Sequence, residues 1–266
     1  MRRATVFLAL AATLACLAIL PTAARAGQSC EDKPLELKTV VKGMDLAQRT
    51  SRVLDESGAQ VAFIARAGQD LSKYGLKYSH MAMVWRDEDR GRWLVVHELN
   101  ECGSASSALY NEGLGNFFLD DMFLYQSQIL VPGPEVQARL ARVLASGTPR
   151  RLHEAKYNML SYAFSTQYQN SNQWVLETYA AASAQPGQIE TRGEAQAWLK
   201  QAGFRPITVE IPALARLGAR MFRANVAFDD HPTDRRMSGQ IDTVTVDAVM
   251  RFLKQHDKLA REITVR

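Results

Sequence analysis

Three polar side chains, far apart in the sequence, are of types that together can catalyse hydrolysis. His80 lies in the apolar run 78–85, His97 lies in a second apolar run, 93–99, and Ser171 is at the start of a predicted helix. A histidine, with its ordinary pKa of about 6.5, can act as a general base, and a second polar side chain can hold its ring in one tautomer. We expect His80 to be the base, His97 the orienting residue and Ser171 the nucleophile.

The two histidine segments are predicted to form a β-hairpin. Both are rich in β-branched, aromatic and aliphatic residues, and the charged, glycine-containing segment 86–92 joins them. Because side chains alternate between the two faces of a strand, Glu98 is expected on the opposite face from His97. A simpler interpretation of His80 is a histidine at the start of a strand that bonds to backbone.

Ser171 has a second interpretation as part of a helix N-terminus. A helix N-terminus favours an anionic nucleophile, but Asn170 or Ser171 also suits the N-cap position, and Asn170 with Gln173 fits a capping box. A serine is also harder to activate than a cysteine. Cys102 is a rival nucleophile, although it follows the second histidine strand rather than opening a helix.

Aromatic and amide side chains accompany these residues and suit recognition of a substrate. Tyr78 precedes His80, and Asn170, Asn172 and Trp174 surround Ser171. We expect these four residues to bind substrate, and backbone N–H groups near Asn172 to stabilise an oxyanion.

The sequence contains no motif that calls for a cofactor. Two histidines can begin a metal site, but no third ligand lies at a recognisable spacing. Residues 229–232 (DDHP) resemble a ligand cluster, yet adjacent residues before proline diverge, so we interpret this segment as a solvated turn. We therefore expect no metal.

The remaining pattern predicts an α+β fold with an antiparallel sheet packed on helices. Hairpins and separate helices, rather than repeating βαβ units, are typical of that class. Strands are predicted at 60–66, 129–132, 204–211 and 241–246, and helices at 44–54, 135–145, from 170, 192–202, 214–224 and 247–256. The helix at 214–224 is basic.

The first 26 residues are predicted to be a signal peptide. Two arginines precede an apolar run at 6–20, and Ala24-Arg25-Ala26 is a cleavage motif. Residues 27–266 are then expected to be one exported domain, periplasmic or secreted, without a transmembrane span. The whole chain has 32 basic and 28 acidic residues, but residues 27–266 hold 29 and 28, so the charge balance does not indicate nucleic-acid binding.

Two cysteines remain after the predicted cleavage, Cys30 and Cys102. In an oxidising compartment an even pair is typical of a disulfide. That bridge would close a loop of about 70 residues and add about 4 kcal/mol on a chain-entropy account. The alternative is two separate thiols, one of them buried.

Four stretches of the sequence, 68–85, 95–100, 113–118 and 168–177, resemble a family of exported bacterial proteins of unknown function. The chain also resembles circularly permuted, papain-like hydrolases of the NlpC type, which cleave cell-wall peptides. The resemblance implies a permuted papain-like fold with His80 as base, His97 as orienting residue and Ser171 at the position where those enzymes have cysteine.

Two functions follow from this interpretation. One is a periplasmic amide or ester hydrolase that acts on cell-wall peptides, with acyl lipids as the second substrate class. The other is a non-catalytic protein that uses the same cleft to bind peptide or lipid, because the thiol is missing.

Overall fold

The protein is described here as a computed structural model that covers residues 34–87, 89–120 and 122–266. The predicted signal peptide and Cys30 lie outside the described residues. The signal peptide and the Cys30–Cys102 pairing therefore stay predictions.

Strands and helices are interspersed along the chain. The strands are β1 (Val61–Ala67), β2 (His80–Asp87), β3 (Gly91–Asn100), β4 (Ser107–Gly113), β5 (Leu124–Val131), β6 (Ile207–Glu210), β7 (Gln240–Thr243) and β8 (Arg261–Val265). The helices are α1 (Leu37–Ser57), α2 (Leu114–Phe118), α3 (Pro134–Leu144), α4 (Thr148–Arg151), α5 (Ser171–Ser183), α6 (Arg192–Gln201), α7 (Ala213–Phe222), α8 (Thr233–Met237) and α9 (Val246–His256).

Six strands form one antiparallel sheet in the order β4-β3-β2-β1-β5-β8. The predicted hairpin is β2–β3, in which Met83 pairs with Val96. Strands β6 and β7 pair separately, also antiparallel. The predicted α+β class with an antiparallel sheet packed on helices is confirmed.

The two faces of the six-stranded sheet carry different helices. On one face, Ile64, Ala82 and Val95 pack with residues of α1 and α2; we call this the histidine face. On the other, Phe63 and Met83 pack with α3, α5 and α9; we call this the α5 face. Strand β1 is buried along its whole length because helices cover it on both sides.

Helix α1 approaches α2 closely on the histidine face. A Cβ atom at Gly43 would lie 2.6 Å from the carbonyl oxygen of Phe118, so only glycine allows this contact. Gly58, with a φ of 70°, ends α1 in the left-handed conformation.

Helix α5 is buried around almost its whole circumference, including the polar side chains of Asn172, Gln173, Glu177 and Thr178. A helix buried on all sides lies inside a core, and its polar groups then require partners. The partners of Gln173 and Glu177 come from residues 152–169 and from α6, which surround the first turns of α5.

Several elements differ from the sequence prediction. The first helix spans 37–57 rather than 44–54, and the segment predicted as strand 241–246 ends at Thr243 because α9 begins at Val246. Strand β8 was not predicted, and it extends the sheet beside β5. Its five residues are too few to show a clear alternation of polar and apolar side chains in the sequence.

Candidate functional site

His80 and His97 contact each other on the histidine face. The Nε2 atom of His80 lies 2.9 Å from Nδ1 of His97, and Nε2 of His97 lies 3.0 Å from a carboxylate oxygen of Glu112. The three groups form a row across β2, β3 and β4. His97 and Glu112 are close enough for an ion pair, but their geometry is not that of an aligned hydrogen bond.

An arginine and a phenylalanine enclose this row. Arg66 pairs with His80 across β1 and β2, and its guanidinium bonds to the carbonyl oxygen of Phe117 and lies 3.0 Å from Asp120. The Phe117 ring lies 5.9 Å from the His80 ring and 5.5 Å from the His97 ring, centre to centre. Helix α2 thus covers His97, which is fully buried, and part of His80, which is half-buried.

Burial lowers the pKa of both imidazoles. The pKa of His80 falls well below 6.5, mainly through loss of hydration and further through the charges of Arg66 and His97. Burial also lowers the pKa of His97, although Glu112 acts in the opposite direction. Both rings are therefore neutral at neutral pH, and each can donate through one nitrogen and accept through the other.

Ser171 lies on the other side of the sheet from the two histidines. It is the first residue of α5, which packs on the α5 face through Trp174, Val175 and Leu176. His80 and His97 face Phe117 on the histidine face. The prediction that these three residues converge is wrong, because the sheet separates the serine from both imidazoles.

Asn170 is the N-cap of α5, as one of the two interpretations of this helix start predicted. The Asn170 side chain accepts a hydrogen bond of 2.9 Å from the backbone N–H of Gln173, and its amide nitrogen contacts Thr243. The predicted capping box is absent, because the Gln173 side chain bonds instead to Ser161 and to carbonyl oxygens of residues 162 and 163.

Glu98 is on the α5 face, as the strand alternation predicted. Its side chain is fully buried, and both carboxylate oxygens lack a hydrogen-bond partner of good geometry among the described residues. Burial raises the pKa of Glu98 to about 8, so it is mostly protonated at neutral pH. Nearby, burial raises the pKa of Tyr157 to about 12, while hydrogen bonding to Ser171 acts in the opposite direction.

A buried ion pair fixes α5 to α6. Glu177 contacts Nε of Arg192 at 2.8 Å, and Gln169 and Gln196 donate to the same carboxylate at 2.6 and 2.8 Å. Burial nevertheless raises the pKa of Glu177. These four residues were not predicted from the sequence, since their positions have no recognisable spacing.

A cavity of about 410 Å³ opens beside the first turn of α5. Its wall includes residues from the segments 69–79 and 223–228, from α7, and from and beside the paired strands β6 and β7. Two of the predicted substrate-binding residues, Tyr78 and Asn172, line it. We call this cavity the cleft.

Asn172 presents an unpaired acceptor at the wall of the cleft. Its side-chain nitrogen is 3.4 Å from the carbonyl oxygen of Val244, while its Oδ1 has no hydrogen-bond partner among the described residues. The residue is only 9% exposed. A buried amide oxygen of this kind is costly unless a bound group satisfies it.

The other two predicted substrate-binding residues have structural roles. Asn170 caps α5. Trp174 is fully buried, and its indole N–H donates to the carbonyl oxygen of Pro149 at 3.0 Å. The prediction of substrate contact is therefore corrected for both, because neither lines the cleft.

Other predicted features have a defined position. Cys102 follows β3 on the turn 101–104 and is exposed. Of the segment 229–232, His231 and the Asp230 side chain are buried, with Nδ1 of His231 2.9 Å from Asp230, so the expected solvated turn is wrong for these two residues. Within the described ranges, no group of three or more His, Cys, Asp or Glu residues is arranged to hold a metal.

Residues 34–266, apart from the two undescribed positions, contain no helix both long and apolar enough to cross a membrane.

Comparison with known proteins identifies one family. A family model described as "Uncharacterized protein conserved in bacteria (DUF2145)" matches residues 53–253. This range includes both histidines, α5 and most of the cleft wall. No curated protein and no solved structure matches the chain.

Proposed function

We propose that this chain, which belongs to the DUF2145 family of uncharacterised bacterial proteins, is a non-catalytic binding protein whose cleft holds an amphipathic, acyl-chain ligand. The observation that carries the proposal is a largely apolar cavity of about 410 Å³ with Asn172 at its wall, whose buried Oδ1 has no hydrogen-bond partner among the described residues. The ligand would pair this oxygen with an N–H or O–H group.

The lining of the cleft favours an acyl chain over a polar peptide. Aliphatic and aromatic side chains form most of the wall, among them Leu76, Leu160, Val209, Val226 and Phe228. Pockets of about 300–1,000 Å³ with a few polar groups are typical of small-ligand sites. A cell-wall peptide has many polar groups, and each would need a partner on burial.

The separation of Ser171 from His80 supports a binding role over hydrolysis. A general base must come within about 3 Å of the group that it deprotonates, or reach it through one water. Here the six-stranded sheet lies between the two residues. The side chains that contact the two rings include those of Tyr110, Glu112 and Phe117, none of which is a serine, threonine or cysteine.

A relationship to circularly permuted, papain-like hydrolases of the NlpC type is part of this proposal, as is a periplasmic location. The contact between His80 and His97 on neighbouring strands supports the relationship. The position of α5 on the opposite face is consistent with loss of the hydrolytic arrangement. The apolar run and cleavage motif at the start of the sequence support export.

The experiment compares two probes that differ in one donor group. A fluorescent lauroyl amide offers an N–H to Asn172, whereas the matched methyl ester does not. We expect the wild-type chain to bind the amide at least about tenfold more tightly, and Asn172→Leu to remove this preference. Asn116→Leu, an exposed position on α2, is the control and should preserve it.

Three outcomes would contradict the proposal. Equal affinity of wild type and Asn172→Leu for the amide would exclude the unpaired oxygen as a ligand contact. Release of free laurate from the ester by the wild type, abolished by His80→Ala, would show a hydrolase. A muropeptide serves as competitor, and its displacement of the amide at equal concentration would favour a peptide ligand instead.

A further inference from the structure

Helix α7 carries an apolar stripe on its outer surface. Leu214, Leu217 and Met221 are 85%, 59% and 67% exposed, and their spacing puts all three on one side of the helix. Most exposed apolar residues of a protein are scattered singly, so three on one face indicate a contact surface.

The charged residues of α7 and its flanking residues, 211–228, all have the same sign. Residues 211–228 contain Arg216, Arg220 and Arg223 and no acidic residue. Arg220 and Arg223 are exposed, whereas Arg216 donates to the carbonyl oxygen of Ile211. The next acid along the chain, Asp229, is already bonded to Gln167 and Tyr168. The exposed arginines are thus available to an anionic partner.

The inner side of the same helix forms part of the cleft wall. Ala215, Ala219 and Arg223 line the cavity, while the apolar stripe points away from it. A helix with an exposed apolar face and adjacent arginines has the composition of helices that lie in the interface of an anionic bilayer.

We propose that α7 docks on an anionic lipid surface, with Leu214, Leu217 and Met221 inserted among the acyl chains and Arg220 at the headgroups. The inference rests on exposure and charge and does not depend on the ligand of the cleft. It would bring one wall of the cleft to the membrane, from which an acyl-chain ligand can enter.

The test uses the full chain and vesicles of phosphatidylglycerol or phosphatidylcholine. Leu217→Trp introduces an indole on the stripe, and Leu259→Trp, an exposed leucine outside α7, is the matched control. We expect brominated phosphatidylglycerol to quench the added fluorescence of Leu217→Trp but not that of Leu259→Trp. Because the readout is local, membrane binding by the N-terminal segment cannot produce this difference.

The charge requirement is tested with Arg220→Glu in the Leu217→Trp chain. We expect its partition onto phosphatidylglycerol to fall about tenfold or more, and partition of the parent to weaken with added salt. Equal quenching in phosphatidylcholine, or no loss with Arg220→Glu, would overturn the proposal. A lipid-independent dimer that Leu217→Asp dissociates would also overturn it, since a second copy would then cover the stripe.

Discussion

The two faces of the six-stranded sheet bury polar groups in different ways. On the histidine face, His80, His97 and Glu112 lie in one row, and Arg66 is bonded to α2. On the α5 face, Glu98 is buried without a well-aligned partner, and Asn172 at the cleft wall has a buried amide oxygen without a hydrogen-bond partner among the described residues. On the histidine face most of the hydrogen-bonding groups are paired with one another. On the α5 face, an unpaired group remains that a ligand can satisfy.

This difference shows why side-chain type alone is a poor guide to the site. The histidines are the residues best suited to chemistry, yet they contact one another beneath Phe117. Most of the cleft wall is apolar, and the sequence made Asn172 a candidate for binding, but its unpaired buried oxygen could not be predicted from residue type. An unpaired buried group is visible only when all its neighbours are known.

The largest expected effect concerns Glu98. Its pKa is about 8 in the folded chain and 4.5 as the reference value, so the folded state binds more protons between these values. The free energy of unfolding should therefore decrease as pH rises from about 5 to above 8, by a few kcal/mol at about 1.4 kcal/mol per pKa unit. Denaturant titrations across this range should show that decrease largely removed in Glu98→Gln.

Glu101→Gln, an exposed acid three positions further along, is the control for Glu98 and should follow the wild-type profile. Parallel profiles for wild type and Glu98→Gln would mean that Glu98 is hydrated or paired, and the contrast between the faces would be lost.

His80, on the histidine face, should make the free energy of unfolding depend on pH in the opposite direction. Because the pKa of folded His80 lies well below 6.5, the unfolded chain takes up a proton first as pH falls. The free energy of unfolding should decrease as pH falls below about 6.5, and this component should be absent in His80→Gln. Thermal denaturation at a series of pH values measures it. A stability of the wild type that rises on acidification relative to His80→Gln would refute the assignment of a neutral, buried ring.

The smallest effect distinguishes the two interpretations of the α5 start. Asn170→Ala removes the bond to the Gln173 N–H and should lower the free energy of unfolding by about 1–2 kcal/mol. Ser171→Ala leaves this cap intact and should cost less. Urea titrations of the two variants provide the comparison, and a larger loss for Ser171→Ala would reverse the assignment of the cap.

The sequence by itself determined much of the local structure. Alternation in 93–99 put His97 and Glu98 on opposite faces, and the charged turn at 86–92 predicted the hairpin that brings His80 beside His97. Asn170 was recognised as a cap candidate from its type and position. These features depend on neighbouring residues along the chain or on one strand pair, so short-range patterns suffice to predict them.

Only the tertiary structure decided which groups share a site. The apolar pattern of α5 predicts burial but does not predict which face of the sheet the helix packs on. Because α5 packs on the face opposite the histidines, Ser171 is separated from them. The cleft joins segments around residues 70, 172, 210 and 244, which no local spacing connects. The path of the chain across the sheet determines the position of Ser171 and the assembly of the cleft. That path depends on the packing of the whole core rather than on any one element.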